Sequence, residues 1–174
     1  TDALTLADHI QLTKQTIKMF AEQNGYQATF MPKPLFGENG SGMHTHFSLF
    51  KGGEPAFYDP TGQHNLSKTG LSFIAGLLAH VKSISAILSP TVNSYKRLTP
   101  GYEAPVYICW GPKNRSALIR IPATFGNPKA TRGELRCPDP SNNPYLAFGA
   151  MLAAGLDGVK KGLVPPPPVQ QSMY

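Results

Sequence analysis

A chain of 174 residues, 41% apolar and 15% charged, has the size and composition of one ordinary globular domain, which excludes fibrous and disordered architectures. Its 17 glycines and 17 prolines predict connections made of turns and rigid loops. The net charge of +6 raises a nucleic-acid reading, but no aromatic residues interleave a basic stripe; Cys109 and Cys137 lack C-x-x-C spacing and suit reduced thiols rather than a disulfide framework.

From the amino terminus, Leu6, Ile10, Ile17, Phe20 and Ala21 recur at helical spacing and predict a packing helix over residues 5–24, ended by Gly25. Residues 27–31 read as a short strand stopped by Pro32 and Pro34, with a glycine-rich turn at 37–42. Residues 43–50 alternate, so that a strand there puts His44, His46, Ser48 and Phe50 on one face and Met43, Thr45, Phe47 and Leu49 on the other. Ser67 is placed to cap a core helix through Leu71, Ile74, Leu77, Leu78, Val81, Ile84 and Leu88, which Pro90 ends. Strand-like runs follow at 106–110, 117–121 and 134–137. Asn143 then caps a last helix over about 144–159, and Pro165 to Pro168 form a stiff exit. The longest unbroken apolar run, 145–156, falls short of the roughly 20 residues of a membrane span, so no bilayer crossing is expected. The start at Thr1, without methionine or leader pattern, reads as a fragment.

The cations are segregated by type. All the arginines (Arg97, Arg115, Arg120, Arg132 and Arg136) fall within 97–136, whereas the lysines run from Lys14 to Lys161. A guanidinium fork grips carboxylates and phosphates at two points, so the cluster suggests a small-oxyanion site, with surface salt bridges as the plain alternative. Within it, Glu134 alternates with Arg132 and Arg136 on one strand face, an arrangement that is costly unless a metal or an anionic ligand organises it. Two further segments carry chemistry. The turn 39–42 lets backbone N–H groups approach a ligand beside His44 and His46, although H-x-H spacing equally suits imidazoles on a solvated face. The Pro/Gly-framed loop 96–105 presents Glu103 as a general base, a cation site or a surface ion-pair partner.

Four motifs in order, N-G-S-G-M-H at 39–44, N-S-Y-K-R-L-T-P-G-Y-E-A-P at 93–105, N-R-S-A-L-I-R-I-P at 114–122 and R-G-E-L-R-C-P-D-P-S-N-N-P-Y-L at 132–146, resemble the catalytic domain of a bacterial or archaeal glutamine synthetase of the first type. The resemblance spans nearly the whole chain. It implies an α+β domain, an antiparallel sheet bearing the site on one face with helices packed behind. The implied activity is an ATP-dependent ligase that phosphorylates the side-chain carboxylate of glutamate and lets ammonia displace the phosphate. By the same resemblance, His44 and Glu134 bind the second of two Mg²⁺ or Mn²⁺ ions, Asn39 and Gly40 meet glutamate, and Arg97 holds its carboxylate. His46, Ser48, Lys129 and Arg132 lie along the nucleotide. Arg115, Arg120 and Arg136 stabilise shifting phosphate charge, Arg115 and Arg120 also touching the nucleotide and Arg115 and Arg136 the glutamyl group. Glu103 matches the mobile flap glutamate that takes a proton as the amine attacks.

The implied setting is a cytoplasmic, ring-like homo-oligomer, a dodecamer, with no nucleic-acid partner. The family's carboxylates for the first metal and its small amino-terminal domain lie upstream of residues 1–174, and a carboxy-terminal remainder lies downstream. The basicity then reflects missing acids, and the fragment is expected to be inactive alone. Gly111-Pro112-Lys113 and Phe50 depart from common family residues, and Tyr174 ends near where one bacterial branch carries an adenylylated tyrosine. The rivals are a sister ligase joining glutamate to a polyamine or other amine, a basic nucleic-acid-binding module, and a non-catalytic scaffold.

Overall fold

A computed structural model describes residues 1–172, so Tyr174 lies outside the described residues. Two long apolar helices form the backing of the fold. Helix α1 spans Ala3–Gln23, α2 Lys68–Leu88, α3 Val92–Arg97 and α4 Pro144–Lys161. Ser67 Oγ accepts the Gly70 N–H at the start of α2, and Asn143 Oδ1 accepts the Tyr145 and Leu146 N–H groups at the start of α4. Gly162, left-handed at φ 62°, closes α4.

Helices α2 and α4 approach until their backbones touch. A Cβ placed on Gly158 would lie 2.6 Å from the Gly76 Cα, and one on Gly155 would strike the Phe73 ring. Phe73 in turn stacks on Phe47 at 5.2 Å between centroids and tilts against Phe57 at 5.4 Å. These rings join Ile74, Leu77, Val81, Trp110, Ile119, Leu135 and Met151 in one buried core. By length and hydropathy α2 qualifies as a membrane span, although its apolar residues form no unbroken run of that length. Its buried residues are nonetheless built into the protein core.

The sheet is small and mixed. Strands β1 Thr45–Phe47, β4 Trp110–Pro112, β5 Ile119–Ile121 and β6 Gly133–Leu135 lie in the order β1-β6-β5-β4, while β2 Phe50–Lys51 and β3 Glu54–Pro55 form a separate hairpin. Gly52 and Gly53, at φ 60° and 85°, supply the paired left-handed residues of a two-residue hairpin turn. Pairing is antiparallel for β1–β6 and β5–β6 but parallel for β4–β5, which corrects the all-antiparallel expectation. A parallel pair ordinarily needs a long crossover; here each strand is about 10 Å long, and residues 113–118 suffice to return the chain. Lys113 turns it at φ 55°, and Asn114 Oδ1 accepts both the Ser116 N–H and its hydroxyl.

Other expectations needed correction. Residues 27–31 form no strand. Strand β1 ends at Phe47, so Ser48 and Phe50 leave the strand that carries His46, and the run at 106–110 is irregular up to Trp110. The packing helix at the amino terminus buries only Ala7 among its side chains, while Leu4, Leu12, Met19 and Phe20 are exposed. Polar contacts hold it instead, Lys14 Nζ to the Pro140 carbonyl at 2.6 Å and the Tyr145 hydroxyl to Asp8 at 2.5 Å. Helix α3 was unforeseen. Its capping box pairs Thr91 with Ser94, where the more recognisable residue at that place is Glu or Gln. The proline exit folds back over β4: Trp110 Nε1 donates to the Pro166 carbonyl at 2.7 Å, Val169 N–H to the Trp110 carbonyl at 2.8 Å, and Asn114 Nδ2 to Val169 and Gln171.

Because nothing separates the α2 and α4 backbones, Gly158→Val has no relaxed rotamer available. The substitution is expected to cost about 3 kcal/mol and lower Tm by roughly 6–12 °C, read by thermal unfolding followed by circular dichroism.

Candidate active site

The site is organised by strand register. His46, Glu134 and Arg120 lie directly opposite one another on β1, β6 and β5. Antiparallel neighbours in register project to the same face, so an imidazole, a carboxylate and a guanidinium are delivered to one row. Glu134 is 2% exposed. Its Oε1 lies 3.1 Å from His44 Nδ1 and 3.7 Å from Arg136 Nε, and its Oε2 lies 2.6 Å from Arg120 Nε.

These ion pairs are not all hydrogen bonds. Glu134 Oε2, Arg120 Nε, Arg136 Nε and Arg136 Nη1 are buried without an aligned partner, although the first two are in close contact. Charge attraction holds the groups together while directional bonding capacity remains unused. Burial by itself would raise the Glu134 carboxyl pKa. The hydrogen bond from His44 and the positive charge of Arg120, joined by the imidazoles only when they protonate, outweigh burial and hold it below its ordinary range. For His46, burial lowers the imidazole pKa; Arg132, Arg120 and His44 add to that effect and Glu134 opposes it. The neutral ring fits its contact, since Arg132 Nε–H donates to His46 Nδ1 at 3.0 Å.

Beside this row lies a polar cavity of about 140 Å³, lined by Asn39, Gly40, Gly42, His44, Arg97, Tyr102, Glu103 and Ala104. The fold thus brings Asn39, Gly40, His44, Arg97 and Glu103 together from two separate motifs, 39–44 and 93–105. Arg97 differs from its expected role in one respect: at 3% exposure, its Nη1 donates to the carbonyl of Cys137 at 2.9 Å and its Nη2 to that of Arg136 at 3.1 Å. The two motif glycines serve this residue. A Cβ on Gly40 would meet Arg97 Cγ at 3.0 Å, and one on Gly42 would meet its Cζ at 3.1 Å and His44 Nε2 at 2.9 Å. Close approach here is by this chain's own atoms, the Arg97 side chain at both glycines and the Pro32 carbonyl at Gly40.

The remaining predicted residues are spread along the adjoining surface. His46 and Ser48 border a larger, mostly apolar cavity of about 550 Å³ between α1, the β1–β2 connection and α4. Arg132 also donates to the Ala130 carbonyl, and Lys129 is exposed on the short turn Pro128–Ala130. Arg115 is exposed between buried Asn114 and Ser116. Both cysteines are buried and free, and burial pushes the Cys137 thiol up to about 12, which excludes it as a nucleophile at neutral pH.

Among the described residues no group of three or more His, Cys, Asp or Glu side chains could hold a metal ion. His44 and Glu134, with one buried carboxylate oxygen lacking an aligned donor, fit part of the coordination of a hard divalent cation and leave its other ligands to be supplied from elsewhere. One residue beside the site escaped the sequence reading. Lys33, 8% exposed between two prolines, lies with its Nζ over the Tyr102 ring, and its backbone is gripped by Asn93. A lysine flanked by prolines was the available signal.

A family model described as the glutamine synthetase catalytic domain matches residues 1–174. Curated glutamine synthetases from Thermus thermophilus and Methanocaldococcus jannaschii are each 60% identical to the chain, over 99% of its length and 38% of theirs. Among solved structures, Plasmodium falciparum glutamine synthetase matches with TM-score 0.93 and 40% identity, over 98% of this chain and 33% of that one. A structure titled apo GmaS without ligand matches with TM-score 0.88 and 41% identity, over 100% and 39%. The chain therefore spans about two fifths of the length of the curated relatives it matches.

The carbonyl contacts of Arg97 predict that Arg97→Met destabilises the fold by about 3 kcal/mol in urea denaturation, because buried acceptors lose their donors. A purely substrate-holding role would leave the midpoint in place. For Glu134 the native pKa is depressed, so its contribution to stability is complete above the ordinary value of 4.5 and is lost as pH falls through the lower native value. Denaturation midpoints of wild type and Glu134→Gln should therefore differ most at pH 7 and converge as the pH is lowered below 4.5.

Proposed function

The chain belongs to the glutamine synthetase catalytic-domain family, and we propose on that premise that the whole protein is an ATP-dependent glutamate–ammonia ligase. The observation that carries the reading is the buried Glu134 with His44, Arg120 and Arg136 on one sheet face, adjoining the cavity that Glu103 borders.

The reaction needs two chemically distinct places. In the first, the γ-phosphoryl group of ATP passes to the glutamate side-chain carboxylate, releasing ADP and leaving an acyl phosphate. Arg120 and Arg136 offer buried N–H groups without aligned partners, which suits phosphate oxygens whose charge redistributes during transfer. Preorganised donors of this kind need no reorientation when the charge shifts. His44 and Glu134 would hold Mg²⁺ or Mn²⁺, which when bound polarises the phosphoryl group and neutralises phosphate charge. Neutral His46, steadied by Arg132, presents a hydrogen-bonding edge rather than a second cation beside the nucleotide.

In the second place the amine attacks the acyl carbon, the bond to phosphate oxygen breaks, and inorganic phosphate leaves with the electron pair. Glu103 borders the cavity on an exposed loop, positioned to accept a proton from the attacking nitrogen. Asn39 and Gly40 face the same cavity and would seat the glutamyl group. Arg97, whose N–H groups serve carbonyls, would act on the glutamyl carboxylate through its charge. Burial of Arg97 and Arg136, and the pairing of partly exposed Arg120 with Glu134, withdraw three of the five arginines from any basic surface stripe, which disfavours the nucleic-acid reading. A cytoplasmic, ring-shaped homo-oligomer completes the reading.

The test is amide or hydroxamate formation by the whole protein with ATP, Mg²⁺ or Mn²⁺ and glutamate across ammonia, hydroxylamine, methylamine and polyamines. Preference for ammonia is expected, with Glu103→Ala lowering turnover at least about 100-fold. Preference for a larger amine would move the protein to a sister ligase with the same acyl-phosphate chemistry, and no turnover with any amine would overturn the reading.

A further inference from the structure

The loop that carries Glu103 has little backbone of its own to hold it. Among the described residues, the backbone hydrogen bonds donated from 99–107 are Thr99 to the Arg97 carbonyl and Ala104 to the Tyr102 carbonyl, both to a residue two positions back. Such bonds shape a turn without attaching it to the rest of the protein. The far end is fixed by burial of Ala104 and Pro105, and the near end by helix α3, whereas Gly101, at φ 88°, and Glu103 between them are exposed. What attaches this tip is a side-chain contact. Lys33 Nζ sits 3.4 Å from the centre of the Tyr102 ring.

Lys33 is itself held at three points. Its backbone N–H donates to Asn93 Oδ1 at 2.7 Å, its carbonyl accepts from Asn93 Nδ2 at 3.0 Å, and its Nζ donates to the Glu38 carbonyl. The ammonium is thus fixed between helix α3 and the segment leading to Asn39, largely out of water, where a cation's attraction to a π face is strongest. Tyr102 lines the cavity and Lys33 does not. The lysine therefore lies behind the tyrosine and acts on the cavity through it.

We propose that Lys33 is the latch of this loop, a positioning residue whose ammonium holds the Tyr102 ring and thereby sets the place of the neighbouring Glu103. The inference rests on the reading of Glu103 as the proton acceptor for its kinetic consequence only; the latch itself is a statement about loop order. Because the same lysine carries the Glu38 carbonyl next to Asn39, it couples the amine side of the cavity to the glutamyl side.

The experiment compares Lys33→Met, Lys33→Arg, Tyr102→Leu and Tyr102→Phe in the whole protein by hydrogen–deuterium exchange and by steady-state kinetics with ammonia and glutamate. Lys33→Met keeps an apolar stem and removes the charge, and Tyr102→Leu removes the ring. Both should raise exchange across 99–105 about tenfold, with α2 and α4 peptides unchanged, and lower kcat/KM for ammonia by about tenfold while KM for ATP stays in place. The Tyr102→Phe variant, which retains the ring, should keep wild-type exchange at 99–105, and Lys33→Arg should recover most of the loss. Unchanged exchange at 99–105 in Lys33→Met would overturn the latch, as would exchange raised equally in α2 and α4. If the wild-type protein turns over no amine while Lys33→Met still loosens 99–105, the ligase reading fails and the latch stands.

Discussion

One guanidinium holds the pieces of the site together. Arg97, at the end of helix α3, reaches across to the carbonyls that follow β6, and its stem fills the space left by Gly40 and Gly42. Three segments distant in sequence are thereby fixed around one buried side chain: the glycine turn, the short helix and the exit of the strand that bears Glu134. A lysine could not replace it, since a single ammonium lacks the planar fork that serves two carbonyls at once. The geometry of the candidate site is therefore a consequence of how a structural arginine is packed.

The charge arrangement next to it follows a different logic. Glu134 is placed among guanidiniums and imidazoles by strand register, which sets spacing but not the aim of each N–H. Close ion pairs with unaligned donors keep the carboxylate ionised and leave the arginine edges able to meet a further anion. A perfectly paired cluster would be a better salt bridge and a poorer receptor for phosphate.

The helices α2 and α4 were legible in the sequence because period, cap and stop agreed: Ser67 and Pro90 frame one, Asn143 and Gly162 the other. Strands were less legible, since three-residue elements carry too little alternation to fix their bounds, and the parallel β4–β5 pair depends on a left-handed Lys113 that no local preference announces. The site residues were visible as motifs, and the fold gathers Asn39, Gly40, His44, Arg97 and Glu103 around one cavity. What the motifs concealed was the partner of each. The glycines face Arg97 rather than open space, and Lys33 matters only through a ring 69 positions away in the chain, a relation that spacing cannot express.

The fold-back of residues 165–171 over β4 gives the sheet a direction of growth. With the Val169 N–H on the Trp110 carbonyl, that margin is closed to further strands, whereas β1 has a neighbour on one side only among the described residues. Any extension of the sheet by main-chain pairing must begin at β1, and a strand added there runs about 4.8 Å from the backbone of His46. Whatever joins this sheet therefore arrives alongside the row of His46, Glu134 and Arg120 and can contribute side chains to it directly.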